Sequence, residues 1–193
     1  MAYLPKAERR RSIIEATIEL MLDAGVSAAT VRAIATAMGV SPGQIHHCFD
    51  SIDELRAEAF RTLSDRVRAA VLAERAHLLP LDRVRAAVLD SCPSPQHERA
   101  QRLVRALAEG SSMSEPMRQA LREGVESWTR HIQSDLELAV RDGALDAKTD
   151  CAELARGLVG LGMGNGILTQ LGLAPYASER FFELVLVAAR LQR

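Results

Sequence analysis

The sequence contains few aromatic residues, few cysteines and no long apolar run, and each shortage excludes a class of protein. Its 193 residues include one Trp, two Tyr, four Phe and three Cys. Cys48, Cys92 and Cys151 stand far apart, without the paired spacing typical of zinc sites or a disulfide framework. Charged residues interrupt every apolar stretch well before the roughly 20 residues that a membrane-spanning helix requires. A disulfide-rich secreted domain, a zinc module and a membrane protein are therefore all disfavoured.

A large net charge is also absent. The chain has 24 basic and 25 acidic residues, whereas a nucleic-acid-binding domain usually presents a basic face. Basic residues do cluster in the first turns of the first predicted helix, at Lys6, Arg9, Arg10 and Arg11. No apolar signal core follows them. We therefore expect a cytoplasmic protein with no membrane partner, whose body is neutral to acidic and whose start is locally basic.

Strand patterns are absent as well, so the sequence predicts an all-α protein. Apolar residues recur with helical spacing between Gly and Pro breaks. Together with the caps, this spacing predicts helices at about Lys6–Ala24, Thr30–Gly39, Ser41–Phe49, Ser51–Leu79, Asp82–Ser91, Pro95–Glu109, Glu115–Arg141, Asp150–Leu171 and Ser178–Leu191.

The second and third predicted helices have strong end signals. Thr30 is a suitable N-cap for the second helix, and Gly39 suits the left-handed residue that closes it. Ser41 and Gln44 form a predicted capping box around Pro42 at the start of the third. The same reasoning predicts a Ser51–Glu54 capping box at the start of the fourth helix and a stop at Pro80.

Two short helices joined by a tight glycine turn have the proportions of a helix-turn-helix. Ile45 and Phe49 are predicted to face inward, which leaves polar residues on the outward face of the second helix of the pair. Such a face can contact base edges in the major groove, and helix starts can hold phosphates. The predicted DNA-contacting residues are Thr30, Arg32, Ser41, Gly43, Gln44, His46 and His47.

From Arg11 to Leu55 the sequence resembles the TetR family of bacterial transcriptional regulators, of the TetR/AcrR type. The residues that carry the resemblance are Arg11-x-x-Ile14-x-Ala16, Gly25, Thr30-Val31-Arg32-x-Ile34-Ala35, Gly39-Val40-Ser41-Pro42-Gly43 and Phe49-x-Ser51-x-x-Glu54-Leu55. The stretch from Trp128 to Asp150 is similar to the C-terminal body of betaine-responsive members.

The resemblance implies an N-terminal three-helix DNA-binding domain of the helix-turn-helix type, residues 1–50, and a larger helical ligand-binding and dimerisation body, residues 51–193. It implies a homodimer that binds a palindromic double-stranded operator, and a small-molecule effector that releases it, which is the usual behaviour of a repressor. Three positions depart from the family: His46 and Cys48 where aromatic residues are common, and Ile52 where lysine is common. An alternative is therefore a TetR-like helical dimer that binds a ligand or a partner but has weak or no specific DNA binding.

The body contains candidates for an effector pocket and for a subunit interface. An apolar pocket with a few polar groups would suit a small molecule, and its candidates are Met113, Met117, Trp128, His131, Met163 and Asn165. The last predicted helix has apolar residues on two sides, and small residues recur before it. The predicted interface residues are Gly160, Gly164, Phe181, Phe182, Val185 and Leu186. Close helix packing, room for a ligand and a kink at Asn165-Gly166 all remain possible reasons for the glycines.

Enzymatic chemistry has little support in the sequence. His77, His97 and His131 lack a nucleophile or an acid at helical spacing that would complete a catalytic arrangement. His46, His47 and Cys48 are adjacent on one helix and point in different directions, so they do not form a metal site. We expect neither an enzyme nor a bound metal or cofactor.

Overall fold

The computed structural model describes residues 5–89, 98–99, 102–103, 106–107, 114–173 and 182–187. The α-helices whose bounds lie in these ranges are α1 Lys6–Ala24, α2 Val31–Met38, α3 Pro42–His46, α4 Ile52–Arg75, α5 Pro80–Leu89, α6 Glu115–Arg141 and α7 Cys151–Gln170. A 3₁₀ turn spans Val26–Ala28, and residues 182–187 are helical. The described residues contain no strand, and the prediction of an all-α protein is confirmed.

Several helix ends follow the predicted signals. The Thr30 hydroxyl oxygen accepts a hydrogen bond from the Ala33 N–H at 3.1 Å, and Gly39 closes α2 with φ +65°. The Ser51 hydroxyl oxygen accepts from the Glu54 N–H at 3.0 Å. The bounds of α1 and α6 match the predicted ones. Local capping chemistry therefore determines much of the helix pattern.

Other predicted ends are wrong. The Ser41 side chain makes no capping bond at α3, where the Gln44 N–H donates to the Ser41 carbonyl instead. Helix α3 ends at His46, short of Phe49. Helix α4 ends at Arg75, and Pro80 begins α5 instead of only ending the helix before it. Proline suits a first helical position because the missing N–H would have no intrahelical acceptor there.

The chain forms two compact units, Met1–Val67 with Arg105–Gly124, and Arg68–Val104 with Val125–Arg193. In the first unit, α1 and α2 pack together and so do α2 and α3. Its fully buried side chains include Ile18, Ile34, Ile45, Leu55 and Phe60. These residues come from four helices, so one apolar core fixes the positions of α1 to α4 within this unit.

The second unit has its own apolar core. Its buried side chains come from α5, α6, α7 and the helical residues 182–187, and include Val84, Val88, Ile132, Leu136, Leu158 and Phe182. A Cβ atom built at Gly162 of α7 would lie 3.8 Å from the Val88 backbone of α5. No described atom lies within 4 Å of the same position at Gly157, Gly160 or Gly164. These are ordinary van der Waals distances or open space, so packing within the described part of this chain requires a glycine at none of these four positions.

Candidate nucleic-acid interface

The turn between α2 and α3 has the backbone geometry of a tight helix corner. Gly39 adopts the left-handed conformation, and the Val40 N–H donates to the Ala35 carbonyl at 3.0 Å, which satisfies an acceptor at the end of α2. Ile34 and Ala35 on α2 and Ile45 on α3 are all buried. The apolar sides of both helices thus face the core, and their polar sides face solvent.

The outer face of α3 is polar. Ser41, Gly43, His46 and His47 are exposed, and Gln44 is half-buried. Ile45 and Phe49 are buried on the other side, as predicted. Thr30 and Arg32 are exposed at the start of α2. The structure therefore places the predicted DNA-contacting residues on the solvent side of the two helices, with Gln44 half-buried and the others exposed.

Gly43 lies in the first turn of α3 without a left-handed backbone. A Cβ atom at this position would meet only the Ser41 hydroxyl oxygen, at 3.9 Å, an ordinary van der Waals contact. The surrounding protein therefore leaves space for a side chain at position 43.

The three positions that depart from the family differ in exposure. His46 is exposed on the outer face of α3, whereas Cys48 and Ile52 are half-buried. Of the three, His46 has the best access to a ligand on this face. An imidazole there can donate or accept a hydrogen bond.

The predicted effector residues do not form one group. Met117 is buried in the first unit, whereas Trp128, His131 and Met163 belong to the second. Met113 lies outside the described residues, and for Asn165 the structure describes only the helical backbone. Trp128 and His131 stack with their ring centroids 6.1 Å apart. This half-buried aromatic pair is the part of the predicted set that the described structure brings together.

The expectation that His131 has no acid at helical spacing is wrong, because Asp135, four residues further along α6, lies beside it. Asp135, 4% exposed, accepts two hydrogen bonds from Arg83 of α5, one of them from Nε at 2.9 Å. His131 Nε2 lies 3.6 Å from Asp135 Oδ2 and makes no hydrogen bond with the described residues. The available sequence signal was an acidic residue in register with the buried Ile132 and Leu136.

We expect His131 to make the stability of the protein depend on pH. Burial lowers the pKa of His131 below its usual 6.5, as do the charges of Arg83 and Arg68, although Asp135 opposes the shift. The unfolded chain therefore binds this proton more readily than the folded chain. Stability should fall as the pH drops from just above 6.5 through the lower folded pKa.

Urea unfolding at about pH 7.5 and about pH 5.5 measures this effect. The free energy of unfolding of the wild type should fall more over this interval than that of His131→Gln, which lacks the titrating group. An equal or larger fall in the variant would contradict the assignment.

The predicted interface residues are divided between core and surface. Phe182 and Leu186 are buried within the second unit. Their side chains therefore pack in the core of their own chain and are not exposed to a partner subunit. Val185 is half-buried, Gly160 is exposed and Gly164 is half-buried, while Phe181 lies outside the described residues. Leu184 and Val187, 57% and 46% exposed, lie in the same helical segment.

Two short helices joined at a left-handed glycine, with a polar outer face on the second, define a helix-turn-helix DNA-binding protein. Residues 13–59 match the model described as bacterial regulatory proteins, tetR family. Residues 80–185 match the model described as tetracyclin repressor-like, C-terminal domain. The chain therefore belongs to the TetR family and is a transcriptional regulator of that family.

Individual relatives agree with this classification. The transcriptional regulator BetI of Rhizobium meliloti is 31% identical over 173 residues, which cover 89% of this chain and 82% of BetI. The regulator PksA of Bacillus subtilis is 36% identical over 45% of this chain and 43% of the PksA chain.

Among the described residues, no helix combines the length and the apolar composition that a membrane span requires.

Solved structures share the fold. A TetR-family regulator from Cytophaga hutchinsonii superimposes with a TM-score of 0.75 at 14% identity, over 97% of this chain and 94% of its own. A regulator from Saccharomonospora viridis, solved in complex with choline, superimposes with a TM-score of 0.72 at 20% identity, over 96% and 97%. At these identities the likeness shows the fold alone.

Proposed function

We propose that this regulator is a repressor that binds a palindromic operator as a homodimer and is released by a small organic molecule. The polar outer face of α3 carries the proposal, because Ile45 and Phe49 anchor that helix in the core while Gln44 and His47 remain accessible. The amide of Gln44 suits the donor and acceptor pair of an adenine edge, and His47 can bond to a base or a phosphate. Such a protein would act in the bacterial cytoplasm, where the DNA is.

Dimerisation follows from the same proposal, since a two-fold symmetric protein reads two half-sites of a palindrome. The apolar Leu184 and Val187 are exposed beside the buried Phe182, and exposed Gly160 of α7 would allow a second helix to approach closely. We propose that these surfaces, together with Gly164 and Val185, face the partner subunit.

For the effector, we propose an organic cation of the choline type. A structural neighbour was solved with choline, and the face of an indole ring attracts quaternary ammonium groups. Trp128 is half-buried and stacks on His131. The effector would bind in this part of the second unit.

Selection from a random duplex DNA library, at about 150 mM salt, tests the proposal. The protein should enrich a two-fold symmetric site whose half-sites lie about one helical turn apart, and should bind it as a dimer. Choline should then release the protein from that site. Failure to enrich any sequence would refute the operator and favour the non-DNA-binding alternative. Enrichment without release by choline would refute only the effector class.

A further inference from the structure

Arg10 belongs to the basic start of α1, and its side chain is 40% exposed, yet its guanidinium binds other groups of the protein. Nε donates to Glu58 Oε1 on α4 at 3.2 Å, and Nη2 donates to the other oxygen of the same carboxylate. Nη1 donates to the carbonyl of Cys48, the second residue after α3. The guanidinium carbon also lies 4.1 Å from the centre of the Phe49 ring. One side chain thus joins α1, α4 and the carboxyl end of α3.

Arg56 makes a comparable set of bonds at the other end of the helix pair. It lies on α4, and its side chain is 11% exposed. Nε donates to the Ala29 carbonyl at 2.9 Å and Nη2 to the Ser27 carbonyl at 3.2 Å. Nη1 donates to Asp53 Oδ1 at 3.3 Å. Ala29 immediately precedes Thr30, the N-cap of α2, so Arg56 fixes the chain where the helix pair begins.

The two arginines therefore bind backbone carbonyls at both ends of residues 27–48, the segment that contains α2 and α3. Both sets of bonds lead to α4, because Arg56 lies on it and Arg10 binds its Glu58. A guanidinium is suited to this role, because its rigid planar fork holds several acceptors in a fixed relative position. A lysine ammonium in the same place would keep the charge but could not reproduce the geometry.

We propose that Arg10 and Arg56 are positioning residues for DNA recognition, which set the placement of α3 without contacting DNA. This inference rests on the proposed sequence-specific DNA binding. A recognition site works only when its residues are held within about 0.5 Å of the productive geometry by their supporting contacts. All three nitrogens of each guanidinium donate within the protein, and these bonds connect each group to the backbone at one end of the helix pair.

The test uses Arg10→Lys and Arg56→Lys in the full chain, with Arg66→Lys as the matched control. Arg66 of α4 also binds a glutamate of α1, Glu15, but neither of these bonds involves residues 27–48. Affinities for the selected operator and for an unrelated duplex are measured over a range of salt concentrations. Circular dichroism at the assay temperature establishes that each variant is folded.

Each of the two variants should lose about tenfold in operator affinity, comparable with the cost of a mismatched base pair. Affinity for the unrelated duplex and the salt dependence should stay unchanged, and Arg66→Lys should behave as the wild type. Unchanged operator affinity in both variants would overturn the proposal. So would an equal loss of affinity for both duplexes, because that pattern marks a contact that is common to all DNA, such as a phosphate contact.

Amide hydrogen exchange in the free protein supplies a second readout, independent of DNA. Exchange at residues 27–31 and 45–49 should be faster in Arg10→Lys and Arg56→Lys and unchanged in Arg66→Lys. If Arg10→Lys does not fold, Glu58→Gln replaces it, since it weakens the same contact while keeping the arginine. A wild type that enriches no operator refutes the proposed function, whereas normal exchange in the variants refutes the positioning role.

Discussion

The double variant Gln44→Ala, His47→Ala is expected to lose the operator preference while remaining folded. Gln44 lies on α3 and His47 directly follows it, whereas the buried side chains of this segment are Ile45 and Phe49. A good contact to a base edge contributes about 1–3 kcal/mol of discrimination in each half-site. The double variant should therefore bind the operator at least about 100-fold more weakly, approaching the affinity of the wild type for unrelated DNA. Competition binding with operator and unrelated duplexes measures both values.

The matched control is Gln133→Ala, His77→Ala, which removes the same two residue types from the second unit. Gln133 is half-buried and His77 exposed, as Gln44 and His47 are. The control should retain full operator affinity. If the α3 variant selects the same site with the same affinity as the wild type, α3 is not the recognition helix.

Arg83→Ala is expected to destabilise the protein strongly, because it leaves Asp135 buried without its partner. Asp135 is 4% exposed and accepts two hydrogen bonds from Arg83, which also donates to the Leu78 carbonyl at 3.0 Å. Removal of one member of a buried ion pair typically costs about 3–5 kcal/mol. Urea unfolding followed by the fluorescence of Trp128, the one tryptophan of the chain, measures the loss. Trp128 stacks on His131, one helical turn from Asp135, and so reports on this region.

Two further variants separate the ion pair from a general surface effect. Arg156→Ala removes an exposed arginine that pairs with Glu153, and should leave the unfolding midpoint unchanged. The double variant Arg83→Met, Asp135→Leu should cost less than Arg83→Ala alone, since it leaves no charge in the core. If Arg83→Ala loses less than about 1 kcal/mol, Asp135 is solvated or paired in another way.

The helix pair and its exposed face could be predicted because their signals are local. Thr30 caps α2 through a residue three positions away, and Gly39 closes it through its own backbone conformation. The alternation of Ile45 and Phe49 with polar residues then gives the orientation of α3. Such signals need only a few consecutive residues, so a single sequence contains them.

The supporting arginines could not be predicted in the same way. The acceptors of Arg10 and Arg56 include backbone carbonyls, which every residue possesses and which therefore leave no trace in the sequence. Arg10 in particular stands in a basic cluster that suggests a contact with phosphate. Asp135 likewise resembles any helical acidic residue until α5 brings Arg83 beside it. Tertiary packing decides the role of each of these groups.

The glycine at position 43 of α3 distinguishes the needs of the fold from those of DNA binding. The fold itself does not demand glycine there, because the backbone is not left-handed and an added methyl group would meet only the Ser41 hydroxyl oxygen at van der Waals distance. In a helix interior alanine is favoured over glycine by about 1 kcal/mol, so the fold gives no advantage to glycine at this position. If the proposed operator binding holds, close approach of the DNA would be a reason for the glycine. Gly43→Ala would then weaken operator binding without lowering stability.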